Sequence, residues 1–215
     1  MPDRVPDRAV IFIDGNNWYH SIKSLGLESV GRLDYGKLSQ KLIGPREWKA
    51  TRYYIGQVPQ AGDTSLYTAQ RRFLASLQAT DNRISTHLGR IEERPVKNQA
   101  ASELLTHMAN LQIRIDQSVC HDLIAIGRCH QSVRSLVEKA VDVMLAVDMV
   151  VMAERDEYDA AYLLSADGDF TPAVRAVRGR GKKVYAVSPA VGAQLAAAAN
   201  SFIRLKEEWF EDCST

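Results

Sequence analysis

Short apolar runs and amphipathic stretches alternate along most of this chain. Residues 10–13 (Val-Ile-Phe-Ile) are β-branched or aromatic throughout, which predicts a strand buried on both faces. Residues 18–25 read as a helix ended by Gly26, and Asp34 is placed to cap a second helix over 35–43 that Gly44-Pro45 stops. A second strand is expected over 48–58. Residues 64–79 then carry Leu66, Ala69, Phe73, Leu74 and Leu77 at helical spacing, and 83–91 give a third strand. From 92 to 137 the rhythm breaks. No strand signal is found there, and 100–126 reads as helical with Leu104, Leu105, Met108, Leu111 and Ile115 on one stripe. The expectation is a largely helical insertion, 92–137, within a single domain over 1–215. Its stripe needs a cover, either the domain itself or a second copy in a homodimer. A core helix over 141–155 follows, then a strand (159–165), a helix (170–178) ended by Gly179, a strand (183–187), an alanine-rich helix (194–200) and a short last strand (202–205). Strands alternating with helices predict an α/β fold: a three-layer sandwich around a central, mostly parallel sheet of five to six strands.

Composition narrows the class. A chain of 215 residues suffices for one domain with a substantial core. A net charge of +1 gives no global basic character, so any nucleic-acid contact must come from a local patch. Three cysteines are too few for a disulfide framework. The first eight residues are polar with no apolar signal core, and the longest apolar stretch, 141–153, is interrupted by two aspartates, so no membrane span is expected. A cytoplasmic location is the expectation.

The chemistry lies in three separated segments, each an apolar run that ends in, or is interrupted by, aspartate: Phe12-Ile13-Asp14-Gly15-Asn16-Asn17, Val141-Asp142 through Asp148, and Leu164-Ser165-Ala166-Asp167-Gly168-Asp169. Burying an unpaired carboxylate costs several kcal/mol, so such placements need a reason. On parallel strands, acids at the C-terminal ends meet at the sheet edge where open α/β folds bind ligands. Several carboxylates gathered there call for a cation, Mg²⁺ or Mn²⁺, and point to phosphate chemistry. Two of the segments also have a plainer reading: an Asx cluster capping a helix at 14–17, and a turn with an N-cap at 167–169. Asp142 and Asp148 are six residues apart on one helix, about 120° around its axis, and do not share a face. Asp142, in the first turn, is the better-placed ligand; Asp148 either joins the metal or anchors a neighbouring loop or a basic side chain.

Those three motifs, in that order, resemble the NYN family of the PIN-like nuclease superfamily, its LabA-like branch. The resemblance covers most of the chain outside 92–137. It implies a PIN-like sandwich and a metal-dependent endoribonuclease acting on single-stranded or flexible RNA, with its acids on Asp14, Asp142, Asp167 and Asp169. Ala140 and Ala166 stand where relatives often carry glycine. A catalytically silent RNA-binding or adaptor protein on the same fold is the alternative. A phosphohydrolase of the haloacid dehalogenase type would need an acid where Asn16 stands, and a dinucleotide site would need a Gly-rich turn after the first strand; both are absent.

Around the acids, Asn16, Asn17, Lys139, Ser165, Thr171, Arg175 and Arg178 are candidate substrate contacts. The basic run Arg175, Arg178, Arg180, Lys182 and Lys183 either grips a phosphate backbone or complements a helix C-terminus. Trp18 and Tyr19 either stack a base or belong to the core. Cys120-His121 and Cys129-His130 are nine residues apart, about 180° around one helix, so a zinc site there requires a break at Gly127.

Overall fold

β-Branched residues over Arg8–Asp14 form the first strand, β1, at the centre of a seven-stranded sheet in the computed structural model, which describes residues 6–26, 33–60, 64–111 and 116–213. The remaining elements are α1 (Gly15–Lys23), α2 (Tyr35–Ile43), β2 (Glu47–Gln57), α3 (Thr64–Thr80), β3 (Ile84–Lys97), α4 (Gln99–Ala109), α5 (Gln117–Cys129), β4 (Ser132–Lys139), α6 (Val141–Glu154), β5 (Ala160–Leu164), α7 (Thr171–Gly179), β6 (Lys183–Ser188), α8 (Ala193–Ala198) and β7 (Ser201–Arg204). Short 3-10 turns lie at Gly168–Phe170 and Glu207–Cys213.

The strand order is β4-β3-β2-β1-β5-β6-β7, and β1 pairs in parallel with both β2 and β5. The chain therefore winds outward from β1 in one direction through β2 and β3, and in the other through β5, β6 and β7. That reversal opens a crevice at the C-terminal ends of β1 and β5, the place where open parallel sheets bind ligands. The α/β sandwich expected from the sequence is present, with one strand more than expected. The stretch 92–137 is not strand-free: β3 continues to Lys97 and β4 begins at Ser132. Charged residues interrupt both segments, as suits strands near a sheet edge, and this hid their alternation.

The chain divides into two compact units, 1–90 with 138–215, and 91–137. In the first, side chains of β1 alternate between two cores. Ile11 and Ile13 join Trp18, Tyr35, Leu38 and Tyr53 on one face; Val10 and Phe12 join Tyr54, Leu145, Met149, Leu163 and Val174 on the other. Each of these fully buried side chains contributes on the order of 2 kcal/mol. Trp18 is thus core, and Tyr19 beside it is exposed.

In the second unit, α4 and α5 are capped by Asn98 and Asp116. Leu104 and Leu105 of the apolar stripe close on Gly127 of α5, where a Cβ would lie 2.9 Å from Leu105. The unit covers this part of its own stripe, which gives no support to a homodimer; Ile115 lies outside the described residues. α5 runs unbroken through Gly127, so Cys120 and Cys129 share one continuous helix and do not converge. Among the described residues no helix is long and apolar enough to cross a membrane.

Candidate active site

Asp14 ends β1 and caps α1. One carboxylate oxygen, Oδ1, accepts from the Asn17 backbone N–H at 3.2 Å; the other, Oδ2, accepts from the Ser165 hydroxyl at 3.0 Å. The turn into α1 needs glycine, because a Cβ on Gly15 would lie 2.7 Å from the Tyr54 carbonyl oxygen. The Asp14 carboxyl is 3% exposed, and its pKa is pushed up to about 6. Burial is the main cause; the two hydrogen bonds oppose it, and repulsion from Asp142 and Glu138 adds to it.

Ser165 follows Leu164, the register partner of Ile13, and this brings it beside Asp14. It is fully buried, and while its hydroxyl donates to Asp14 its oxygen accepts from the Asp167 N–H at 3.1 Å. Asn17 Oδ1 accepts from the Ala166 N–H at 3.1 Å, so Asn17 fastens α1 to the loop after β5. Asp167 in turn caps the 3-10 turn by accepting from the Asp169 N–H at 2.9 Å. Asp142 stands in the first turn of α6. The protein around it desolvates its carboxyl enough to raise its pKa, and Asp167 and Asp169 repel it further. Four acids remote in sequence therefore share one electrostatic neighbourhood.

A fifth acid, Glu138, belongs with them. Its Oε1 accepts from the Gly56 N–H at 2.7 Å. Burial raises its pKa, the Gly56 bond opposes this, Asp142 repels it, and His20 nearby draws it down. Sequence reading missed Glu138 because it borders the stretch taken as strand-free, where a Glu-Lys pair looks solvated.

The donor set is all oxygen and rich in carboxylate, which suits a hard cation such as Mg²⁺ or Mn²⁺. Mg²⁺ in particular keeps much of its water and binds through as few as one or two protein carboxylates. Among the described residues no three His, Cys, Asp or Glu side chains already stand together as a metal-holding group. The arrangement is an open acidic mouth, not a closed cage.

The remaining candidates differ in their surroundings. Asp148 accepts from Arg52 at 2.7 Å and from the Tyr54 hydroxyl at 2.7 Å. Burial alone would raise its pKa, but these two donors outweigh it and hold the carboxyl below its ordinary range. Arg178 donates to the Ala198 carbonyl at 2.6 Å; seven residues along α7 from Thr171, it is about 10 Å from the acidic end of that helix. Arg180 pairs with Glu154, Lys182 with Asp156, and Lys183 with Asp7. This run leads into the N-terminal end of β6, away from the acids at the strand C-termini. Asn16 is exposed in the first turn of α1, Lys139 is half-buried beside Glu138, and Arg175 is exposed on α7. The Thr171 hydroxyl, at the start of α7, is buried without a hydrogen-bond partner.

The sequence profile of the NYN domain matches residues 8–206, nearly the whole chain. Among solved structures, a Vibrio parahaemolyticus protein of unknown function is similar in fold, with a TM-score of 0.57 and 18% identity over 97% of this chain and 98% of that one. No curated protein matches the chain. With Asp14 closing β1, Asp142 opening α6 and the Asp-Gly-Asp turn following β5, the chain belongs to the NYN domain family, within the PIN-like nuclease superfamily.

Proposed function

We propose that this protein is a Mg²⁺- or Mn²⁺-dependent endoribonuclease that hydrolyses phosphodiester bonds in single-stranded or flexible RNA. One observation carries the reading: a nearly fully buried carboxylate, Asp14, sits at the reversal point of a parallel sheet, repelled by Asp142 and Glu138, while Asp142 is repelled by Asp167 and Asp169. Such mutual repulsion destabilises the protein alone and is relieved by a divalent cation.

Asp14, Asp142, Asp167 and Asp169 would hold the ion, which when bound supplies an activated water and offsets charge at the scissile phosphate. Ser165 and Asn17 keep Asp14 and the Asp-Gly-Asp loop in fixed relation. Asn16, Lys139 and Arg175 border this edge and are the proposed phosphate contacts; Glu138 adds negative charge behind the ligands.

The test is cleavage of labelled single-stranded RNA by purified protein in Mn²⁺, in chelator, and with Asp14→Asn. Cleavage in Mn²⁺ alone, lost in the variant, supports the reading. Cleavage that survives Asp14→Asn sinks it, and RNA binding without cleavage in any divalent metal leaves the RNA-binding alternative.

A further inference from the structure

The Asp-Gly-Asp turn is pinned at both ends, and a separate helix meets its middle. At the start, the Asp167 N–H donates to the Ser165 hydroxyl at 3.1 Å; at the close, Phe170 is buried in the core. Gly168 between them is not among the glycines of positive φ, so its backbone conformation is open to other residues. A neighbour is what requires glycine there. A Cβ on Gly168 would overlap the amide oxygen of Gln194 on α8 and lie 2.8 Å from its Cδ.

α8 holds this place because it is anchored on both sides of Gln194. It follows β6, the strand next to β5, at the C-terminal edge of the sheet. Leu195 and Ala198 join it to the core of Phe12, Leu145, Leu163 and Val174, on the sheet face to which Asp14 and Ser165 belong by strand alternation. Just before α8, Gly192 packs on the loop after β5: a Cβ there would lie 3.0 Å from the Ala166 carbonyl oxygen and 2.9 Å from the Phe202 ring. At the far end, Arg178 donates to the Ala198 carbonyl at 2.6 Å. Gln194 is exposed, yet its amide end lies on the acid-bearing turn.

We infer that Gln194 is a positioning residue of the active site, whose side chain packs on Gly168 and so holds Asp167 and Asp169 where a divalent cation takes them up. The inference rests on the proposed metal site. Asp167 and Asp169 repel Asp142, and Gly168 is the residue of the turn with the most backbone freedom to let the acids part. A side chain packed against it removes that freedom before the ion arrives. A Cα offers an amide no ordinary hydrogen-bond donor, so the contact is one of packing, and an apolar side chain of similar volume can make it.

The test is isothermal titration of Mn²⁺ into the full chain, with thermal melts in chelator to verify folding. Gln194→Ala keeps a good helix former. It should leave Tm unmoved and weaken Mn²⁺ binding about tenfold, a modest loss for a residue that supports metal ligands. Gly168→Ala should do the same, because its methyl displaces chiefly the flexible end of Gln194. The two changes together should cost no more than either alone. Gln194→Met, of similar volume, should bind Mn²⁺ as the wild type does. Wild-type affinity in Gln194→Ala, additive losses in the double variant, or a loss in Gln194→Met equal to that in Gln194→Ala overturns the inference and leaves the metal reading standing. Wild-type protein that takes up no Mn²⁺ overturns both.

Discussion

Glu138 accepts a 2.7 Å hydrogen bond from the backbone N–H of Gly56, two strands away in the sheet. The reach is possible because Gly56 and Gly89 are register partners on β2 and β3, leaving no side chains between β4 and β2 at that level. The result is a carboxylate behind Asp14 and Asp142 that raises the charge density of the acidic mouth without itself ending a strand at the crevice.

Replacing Glu138 by Gln keeps an acceptor for the Gly56 N–H and removes the charge. The expected outcome is a folded protein whose Mn²⁺ affinity falls about tenfold, the lower end of what loss of a group behind the metal ligands costs. Isothermal titration of Mn²⁺ into both proteins checks this; equal affinities would show that Glu138 serves only the Gly56 backbone.

Asp14 makes stability depend on pH in an unusual direction. Its folded pKa, about 6, lies above the ordinary 3.8, so the folded state binds the proton more tightly. The metal-free protein is therefore relieved of this charge on acidification toward pH 4, and the relief is lost as pH rises through about 6. Asp14→Asn, which keeps a good N-cap, should stabilise the metal-free protein at pH 7.5 by up to about 3 kcal/mol. The advantage should shrink to nothing near pH 4, and Mn²⁺ should reverse it at pH 7.5. Thermal melts of both proteins in chelator across that range measure it; a variant less stable at pH 7.5 contradicts the sign.

Asp148 offers the contrasting case. Removing it takes a shared acceptor from Arg52 and the Tyr54 hydroxyl in a half-buried network, in which Arg52 keeps its 2.8 Å bond to the Tyr54 oxygen. Because both charged groups keep partial solvent access, Asp148→Ala should cost only about 1 kcal/mol. RNA cleavage per folded molecule should be unchanged, whereas Asp142→Ala should abolish it. A loss of cleavage in Asp148→Ala equal to that in Asp142→Ala would put Asp148 back among the ligands.

What was legible in the sequence follows from periodicity. The apolar runs of β1 and β5 are buried on both faces, so strand and burial could be read together in each, with the terminal aspartate of β1 at Asp14. Asp142 was legible because it interrupts an apolar helix in its first turn, where a carboxylate needs a reason. Glu138, the later part of β3 and the edge strand β4 were not, because charged residues there interrupt the alternation that marks a half-buried strand. The destination of Arg178 was also hidden: a cation in the last turn of a helix looks the same whether it meets RNA or, as here, the Ala198 carbonyl of a neighbouring helix.

The junction between β4 and α6 is where backbone geometry and the site meet. Ala140 has φ 69°, a left-handed conformation that costs an L-residue roughly 1–2 kcal/mol and that glycine adopts freely. Ala140→Gly should therefore stabilise the protein by up to about 1 kcal/mol after glycine's own entropy cost, a Tm rise of ~2–4 °C for a chain of this size. The opposite change is expected at Gly89. A Cβ there would lie 2.5 Å from Val141 Cγ2 and 2.7 Å from the Lys139 carbonyl oxygen. These atoms flank Ala140 and directly precede Asp142, so Gly89→Ala must push the start of α6 away from the sheet. It should lower cleavage and Mn²⁺ affinity together although it removes no acid, and Ala140→Gly, by loosening the same junction, should partly restore both in the double variant. Full activity in Gly89→Ala would mean that Asp142 need not be held where α6 now places it.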